Sequence, residues 1–416
     1  MNLTITPAPL SGTITPPPSK SEAHRLIIAA ALAHGTSRLS NVAYSQDIEA
    51  TLSCMEALGA EIRREGDTLI ITGVEGGPMS PLRKLPHPRM DCGESGSTLR
   101  FLIPVALALR GGGVFSGRGR LMARPQGPYF DLFDQRGIAR EQEGDTLTLS
   151  GLLTSGAYIL PGNVSSQFVT GLLYALPLLE GDSILIVRGT LESADYVSMT
   201  MEVLRMFGIT IHRDPHHTFR IPGGQRYRSC DVEVEADWSQ AGFWYGAAGM
   251  GHRVSVTGMN LETIQGDRVF LAWARRLLEE AQRGKPLTFD VSHAPDLVPP
   301  LAMLAAVTEG AKLHIDNAAR LRTKESDRLV SVTAALGAMG ADITELSDGL
   351  LVLGRPLLEG GCTVDSHNDH RIAMMTAIAA TRCAAPVELL DAHCVAKSYP
   401  NFWEDYAALG GQAAEG

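Results

Sequence analysis

The sequence predicts an α/β protein of two domains, assembled from six repeated units of helix, strand, turn and strand. Three observations carry that expectation. The chain has 416 residues, too many for one ordinary core and enough for two. A local pattern recurs in which a helix with apolar spacing ends at glycine, followed by a strand, a polar turn and a second strand. The glycines that end these helices, at 59, 137, 208, 340 and 410, recur at roughly 70-residue spacing, with one double gap before 340.

The elements follow in order. Thr15-Pro16-Pro17-Pro18-Ser19 suits neither a helix interior nor a central strand, so it reads as a crossover into a helix at residues 19–33. Residues 48–59 form the first marked helix, with strands at 60–62 and 69–71 about a turn at Gly66-Asp67. The pattern returns at 129–137, with a turn at Gly144-Asp145 and a strand at 147–149, and again at 196–208, with a strand ending at Ile221. A second crossover is expected around Glu233, Ala236, Asp237 and Trp238, where another helix of small residues follows. A weaker copy fills the double gap at 266–278. A clear one runs 329–340, with a turn at Asp348-Gly349 and a strand at 350–353, and the helix at 403–410 is a truncated copy. Glycine marks each end because it accepts the left-handed backbone after the last turn. Helix, glycine and hairpin also recur by chance in α/β proteins, but five marks at similar spacing favour true repetition. Three such units per domain would bury a shared core.

Composition narrows the function classes. Hydrophobic residues are 44% and charged residues 20% of the chain, as in folded globular proteins. The formal net charge of -10, from 36 basic and 46 acidic residues, argues against a nucleic-acid or acidic-membrane partner while leaving room for a locally positive pocket. Six cysteines without a CxxC pair read as free thiols in a reducing compartment. The N-terminus shows no signal-peptide pattern, and the apolar helical stretches at 26–32 and 101–109 are too short to span a bilayer. A cytoplasmic protein is expected.

The basic residues gather in a few places. At the first helix, Lys20 and His24 share one face and Ser21 and Arg25 another, around amides that suit an anion. Arg118, Arg120 and Arg124 lie in a glycine-broken loop, either solvated or a guanidinium clamp. Ser165-Ser166-Gln167 after Pro161-Gly162 is either a plain helix cap or a phosphate seat. The run from Arg320 to Arg328 is either a solvated face or a site, with Lys324 and Arg328 on one helix face and Glu325 beside them as an acid–base candidate. Asn368-Asp369-His370-Arg371 and Lys397 add weaker signals, and Asp296 at the start of an apolar helix is either a cap or a general base.

Several decoys drop out. His212-Arg213-Asp214 lacks the rest of a kinase catalytic loop, His216-His217 lacks further metal-ligand spacing, and Gly111-Gly112-Gly113 is a turn rather than a nucleotide loop.

Taken together, Lys20-Ser21 with Arg25, Gly93 and Gly96 through Arg100, Arg120 to Arg124-Pro125, Ser165-Ser166-Gln167, Asp296, Lys324 to Arg328, Asn368 to Arg371 and Lys397 carry a resemblance. The whole chain resembles the enolpyruvyl transferases and, within them, the EPSP synthase family. The resemblance implies two similar inside-out globular domains, each of three βαβαββ units about a pseudo-threefold axis. It assigns 18–235 to an N-terminal lobe and 1–17 plus 236–416 to a C-terminal lobe, with the active site in an interdomain cleft that closes over substrate. It implies transfer of the enolpyruvyl group of phosphoenolpyruvate to the 5-hydroxyl of shikimate 3-phosphate, through a tetrahedral ketal, with no cofactor and no metal, by a monomer.

The resemblance also assigns residues. Lys20, Ser21, Arg25, Ser165, Ser166, Gln167, Ser193, Tyr196, Asp296, Arg320 and Lys324 would hold shikimate 3-phosphate. Lys20, Gly96, Arg120, Gln167, Arg328, Arg371 and Lys397 would hold phosphoenolpyruvate. Asp296, Glu325, Lys20 and Lys324 would be catalytic, with Asp296 taking the hydroxyl proton and Glu325 acting at the methylene. Two positions depart from the family pattern: Glu94 and Arg320 each stand where many members have Asn.

The related UDP-N-acetylglucosamine enolpyruvyl transferases fit less well. They carry Lys-Asn where this chain has Lys20-Ser21, and a reactive cysteine in a loop that has none here between 117 and 124. A catalytically dead anion-binding repeat protein would keep the cations without needing Asp296 and Glu325 together.

Overall fold

A computed structural model describes residues 1–74, 82 and 85–415. The chain divides into two compact units, Pro18–Glu235 and Met1–Pro17 with Ala236–Gly416.

Among the described residues the unit Pro18–Glu235 holds six α-helices: α1 (Lys20–Leu32), α2 (Gln46–Leu58), α3 (Gly96–Arg110), α4 (Gly127–Arg136), α5 (Ser166–Ala175) and α6 (Ala194–Met206). Its three described sheets each have four strands in the same order. Arg89–Asp91 runs parallel to Gly112–Ser116, which is antiparallel to Thr146–Ser150, itself antiparallel to Ala139–Glu143. Gly156–Pro161, Ser183–Arg188, Thr218–Ile221 and His212–Arg213 repeat that order. So do Val232–Glu233, Thr36–Ser40, Thr68–Thr72 and Glu61–Glu65, the first strand here being supplied by the end of the unit.

The other unit holds α7 (Trp238–Gly249), α8 (Phe270–Gln282), α9 (Val298–Ala306), α10 (Arg328–Ala338), α11 (His370–Ala380) and α12 (Phe402–Ala408). One sheet again runs Pro286–Asp290, Lys312–Asp316, Gly349–Leu353 and Asp342–Leu346. In a second, Thr363–Asp365 and Val387–Leu390 are joined by Leu3–Thr6 and Gln412–Glu415, so the start of the chain completes a sheet built by its end. The weak copy expected at 266–278 does contain a helix, α8, but its sheet is reduced to Ser11–Ile14 beside Arg253–Val256 among the described residues.

Each unit is built with helices inside and sheets outside. Leu26 to Leu32 of α1 are all 0% exposed, and α3, α5, α9 and α11 are buried on nearly every side, as their all-round apolar sequences require. By contrast α8 buries only Phe270, Ala274, Leu277 and Ala281, one stripe at helical spacing. Outer hairpin strands such as Ala139–Glu143 are exposed throughout, and their charges disfavour pairing with another chain. Two separate apolar cores result, one per unit.

The helix-ending glycines adopt the left-handed backbone expected of them, with φ +116° at Gly59 and +67° at Gly137. A second repeated device follows the second strand of a unit. Asn41, Asn317 and Asp391 take φ +56°, +57° and +53°, a conformation that short polar side chains tolerate. At the start of α1, Ser19 N–H donates to the Glu235 carbonyl at 2.7 Å, while Glu235 N–H donates to Glu22 Oε2 at 2.8 Å.

Candidate active site

Within Pro18–Glu235, polar groups collect at the N-terminal ends of α1, α3 and α5. Ser19 caps α1 by accepting from Glu22 N–H at 3.3 Å. Lys20 and His24, one turn apart, both face α2: Lys20 Nζ donates to Asp47 Oδ2 at 2.8 Å, and His24 Nδ1 lies 2.7 Å from Thr51 Oγ1. Thr51, Thr98 and Ser95 continue as a chain of hydroxyl contacts, each 2.7 Å, to the cap of α3. Burial, reinforced by Lys20 and Arg25, holds the His24 imidazole well below its ordinary value and therefore neutral.

Arg25 is 3% exposed and fixed on three sides. Its Nε donates to Thr200 Oγ1 at 2.9 Å, Nη1 to the Ser21 carbonyl at 2.6 Å and Nη2 to the Tyr196 carbonyl at 3.1 Å. Its guanidinium also lies over the rings of Phe101 and Tyr196. This one side chain therefore ties α1 to α6 and brings Ser21 and Tyr196 together. Ser193, buried just before α6, has φ +53°, a backbone state uncommon for serine.

Gly96 opens α3 where a guanidinium approaches closely: a Cβ there would sit 2.9 Å from Arg124 Nη1 and 3.6 Å from Gln167 Oε1. The Gln167 amide is oriented by its partners, with Arg100 Nη1 donating to Oε1 at 2.9 Å and Nε2 donating to Ser97 Oγ at 3.0 Å. Ser165 caps α5, its hydroxyl accepting from Gln167 N–H at 3.3 Å, and Ser166 is buried beside it. Arg124 is 8% exposed, whereas Arg120 lies exposed on the same loop. The short turn Leu121–Ala123 separates the two, and it is Arg124 whose guanidinium lies against Gly96.

In the other unit a denser cluster forms around Asp296. Arg328 Nη1 donates to Asp296 Oδ1 at 2.9 Å, Arg371 Nη2 donates to Oδ2 at 3.2 Å, and Lys324 Nζ lies 3.5 Å from Oδ1. Arg328 also donates to Glu325 Oε2 at 2.6 Å and makes a two-point contact with Asp369. Asp369 caps α11, accepting from Arg371 N–H at 3.0 Å, and accepts from Ser326 Oγ at 3.0 Å. Lys397, 3% exposed, donates to the Asn368 carbonyl at 2.7 Å. Arg320 donates to the Ser292 carbonyl.

The electrostatics follow from this packing. Burial alone would raise the Asp296 carboxyl, but Arg371, Lys324 and Arg328 override it and hold the group well below its ordinary value. Burial lowers the Lys324 ammonium, against the pull of Asp296 and Glu325. Burial also works against the charge on Arg328, but Asp369, Glu325 and Asp296 more than restore it.

Two expectations are corrected here. Lys324 and Arg328 do not share a helix face, because α10 begins at Arg328 behind its cap Asp327 and Lys324 is in extended backbone. Asp296 is not a cap; its carboxylate is spent on cations. Asp47 and Ser239 stand in no sequence motif, and Arg100 and Asp369 lie inside motifs that assign them no role of their own. A helix-cap signature was visible only for Asp369, directly before an apolar helix. Among the described residues no group of three or more His, Cys, Asp and Glu could hold a metal ion.

Comparison with known proteins is consistent with this chemistry. The profile of the family described as EPSP synthase (3-phosphoshikimate 1-carboxyvinyltransferase) matches residues 5–406. A 3-phosphoshikimate 1-carboxyvinyltransferase of Clostridium beijerinckii is 41% identical, covering 99% of this chain and 98% of the relative. One of Clostridium acetobutylicum is 43% identical over 99% and 98%. A solved EPSP synthase from Acinetobacter baumannii superposes with a TM-score of 0.77 at 24% identity over the full length of both chains. The enolpyruvyl transferase NikO from Streptomyces tendae has a TM-score of 0.74 at 19% identity, covering 99% of this chain and 98% of its own.

Proposed function

This chain belongs to the EPSP synthase family, and we propose from that membership how its residues divide the work of the reaction. It is an enzyme that transfers the enolpyruvyl group of phosphoenolpyruvate to the 5-hydroxyl of shikimate 3-phosphate, releasing phosphate. The observation that carries the reading of residues is the cluster in which Asp296 is shared by Arg328, Arg371 and Lys324, with Glu325 on the same arginine.

The chemistry needs such a cluster. Phosphoenolpyruvate becomes electrophilic at C2 once C3 is protonated; the hydroxyl adds to give a ketal phosphate, and loss of phosphate with a C3 proton restores the alkene. Each half needs an acid and a base at once, beside several anionic groups held in place. Asp296 orients the 5-hydroxyl and accepts its proton. In the unliganded protein it is a weak base, because three cations hold it ionised. Anionic substrates compete for those cations, loosen their hold and raise its basicity when the hydroxyl is in place. Glu325 serves the methylene proton, and Lys324 bridges the reacting groups.

Lys20, Gly96, Gln167, Arg328, Arg371 and Lys397 bind phosphoenolpyruvate, and of the two loop arginines Arg124, buried beside Gly96, is the main contact rather than Arg120. Lys20, Ser21, Arg25, Ser165, Ser166, Gln167, Ser193 and Tyr196 hold shikimate 3-phosphate, aided by Asp296, Lys324 and Arg320. A cytoplasmic monomer is the proposed state. The six thiols are all free, and no helix among the described residues is long and apolar enough to cross a membrane.

A phosphate-release assay with phosphoenolpyruvate and either acceptor tests this reading. Turnover with shikimate 3-phosphate is expected; turnover only with UDP-N-acetylglucosamine overturns it.

A further inference from the structure

We propose that Ser239 is a positioning residue for Arg371, the middle of a relay that runs from Asp237 through Ser239 to Arg371 and Asp296. The inference rests on the reading of Arg371 as a phosphoenolpyruvate contact.

Asp237 caps α7, and its Oδ1 accepts from Ser239 N–H at 2.8 Å, from Ser239 Oγ at 2.7 Å and from Gln240 N–H at 3.1 Å. Ser239 Oγ also lies 2.9 Å from Arg371 Nη2. The direction of every bond is forced. A carboxylate only accepts and a guanidinium only donates, so the single hydroxyl proton points to Asp237 and a lone pair points to Arg371. Asp237, Ser239 and Arg371 are 4%, 5% and 4% exposed, so water does not readily replace the serine.

The relay acts on the guanidinium rather than on the helix that carries it. The Arg371 backbone is held independently by the cap Asp369, at 3.0 Å. Beyond Ser239, the same Nη2 reaches Asp296 Oδ2 at 3.2 Å, and Nη1 reaches the Asp296 carbonyl at 3.3 Å. Removing the hydroxyl leaves a buried N–H without its acceptor. The guanidinium then turns to find another, away from Asp296 and from the bound carboxylate or phosphate.

The test compares wild type, Ser239→Ala and Ser239→Thr in steady-state kinetics. For Ser239→Ala, KM for phosphoenolpyruvate rises about tenfold, the loss typical of one hydrogen bond to a charged group, while kcat and KM for shikimate 3-phosphate stay near wild type. Ser239→Thr keeps the hydroxyl and restores KM. Asp296 is faced by Arg371, Lys324, Arg328 and Glu325, so loosening Arg371 also moves the acid limb of kcat/KM to higher pH. An unchanged KM in Ser239→Ala, or a Thr variant as impaired as Ala, overturns the relay. If the Ala variant does not fold, Ser239→Cys, whose thiol is a weak acceptor, carries the same comparison. Wild-type protein that releases no phosphate would overturn the functional reading alone. The relay is then judged by NMR of the Arg371 guanidinium, whose proton exchange with water must quicken in Ser239→Ala; unchanged exchange overturns it.

Discussion

Arg328 and Asp369 meet in a two-point ion pair, Nε to Oδ2 at 2.9 Å and Nη2 to Oδ1 at 3.2 Å, with side chains 1% and 0% exposed. Such a pair is costly to break, because the surviving partner is left charged in a place it cannot leave. Asp369 is also the cap of α11 and the acceptor for Ser326. Asp369→Ala is therefore expected to destabilise its unit by about 3–5 kcal/mol, read as a lowered urea midpoint. Asp369→Asn, which keeps a cap acceptor, loses less. Equal losses in the two variants would show that the charge alone matters.

Asp296→Ala is expected to lower kcat by about two to four orders of magnitude, with a much smaller change in substrate binding. The freed Arg328 and Arg371 keep their affinity for anions, so the variant binds phosphoenolpyruvate without turning it over. Calorimetry beside phosphate release separates the two. An unchanged rate removes Asp296 from the catalytic list.

On the glycine-rich arginine loop, Arg124→Ala is expected to raise KM for phosphoenolpyruvate at least tenfold and Arg120→Ala to change it less than about twofold, because only Arg124 is buried beside Gly96. Gly96→Ala acts on the same group by placing a methyl 2.9 Å from Arg124 Nη1. Steady-state kinetics of the three variants check the order.

Lys20→Met and Arg25→Ala both weaken capture of shikimate 3-phosphate, by about tenfold or more in Kd. Only Arg25→Ala also lowers the melting temperature appreciably, since its guanidinium binds α1 to α6 through Thr200 and the Tyr196 carbonyl. Equal thermal losses in both variants would contradict that division.

His24 makes stability pH-dependent. Its folded value lies well below the ordinary 6.5, so between the two values the unfolded chain binds the extra proton. The stabilisation is complete above about pH 6.5 and is lost as the pH falls, by at most about 1.4 kcal/mol per pH unit. His24→Asn is expected to flatten the slope of unfolding free energy between pH 7 and 5. A slope identical to wild type would assign the dependence to other groups.

The repeat was legible in the amino-acid order because each unit writes a local signal: an apolar helix, a glycine that can turn left-handed at Gly59 or Gly137, and an alternating hairpin. The crossover at Pro16–Pro18 was legible for the same local reason, through prolines that neither a helix interior nor a central strand accepts. The residues proposed for catalysis, Lys20, Asp296, Glu325 and Lys324, stand in motifs that can be picked out without coordinates. Tertiary structure alone decided which polar neighbours hold them. Arg124 and Arg120 are indistinguishable as letters, yet one is buried beside Gly96 and the other is exposed. Ser239 and Arg371 are 132 residues apart, and Lys20 and Asp47 are 27 apart. Hydrogen bonds of that kind depend on angles and on exclusion of water, which the packing of helices sets and which no local pattern encodes.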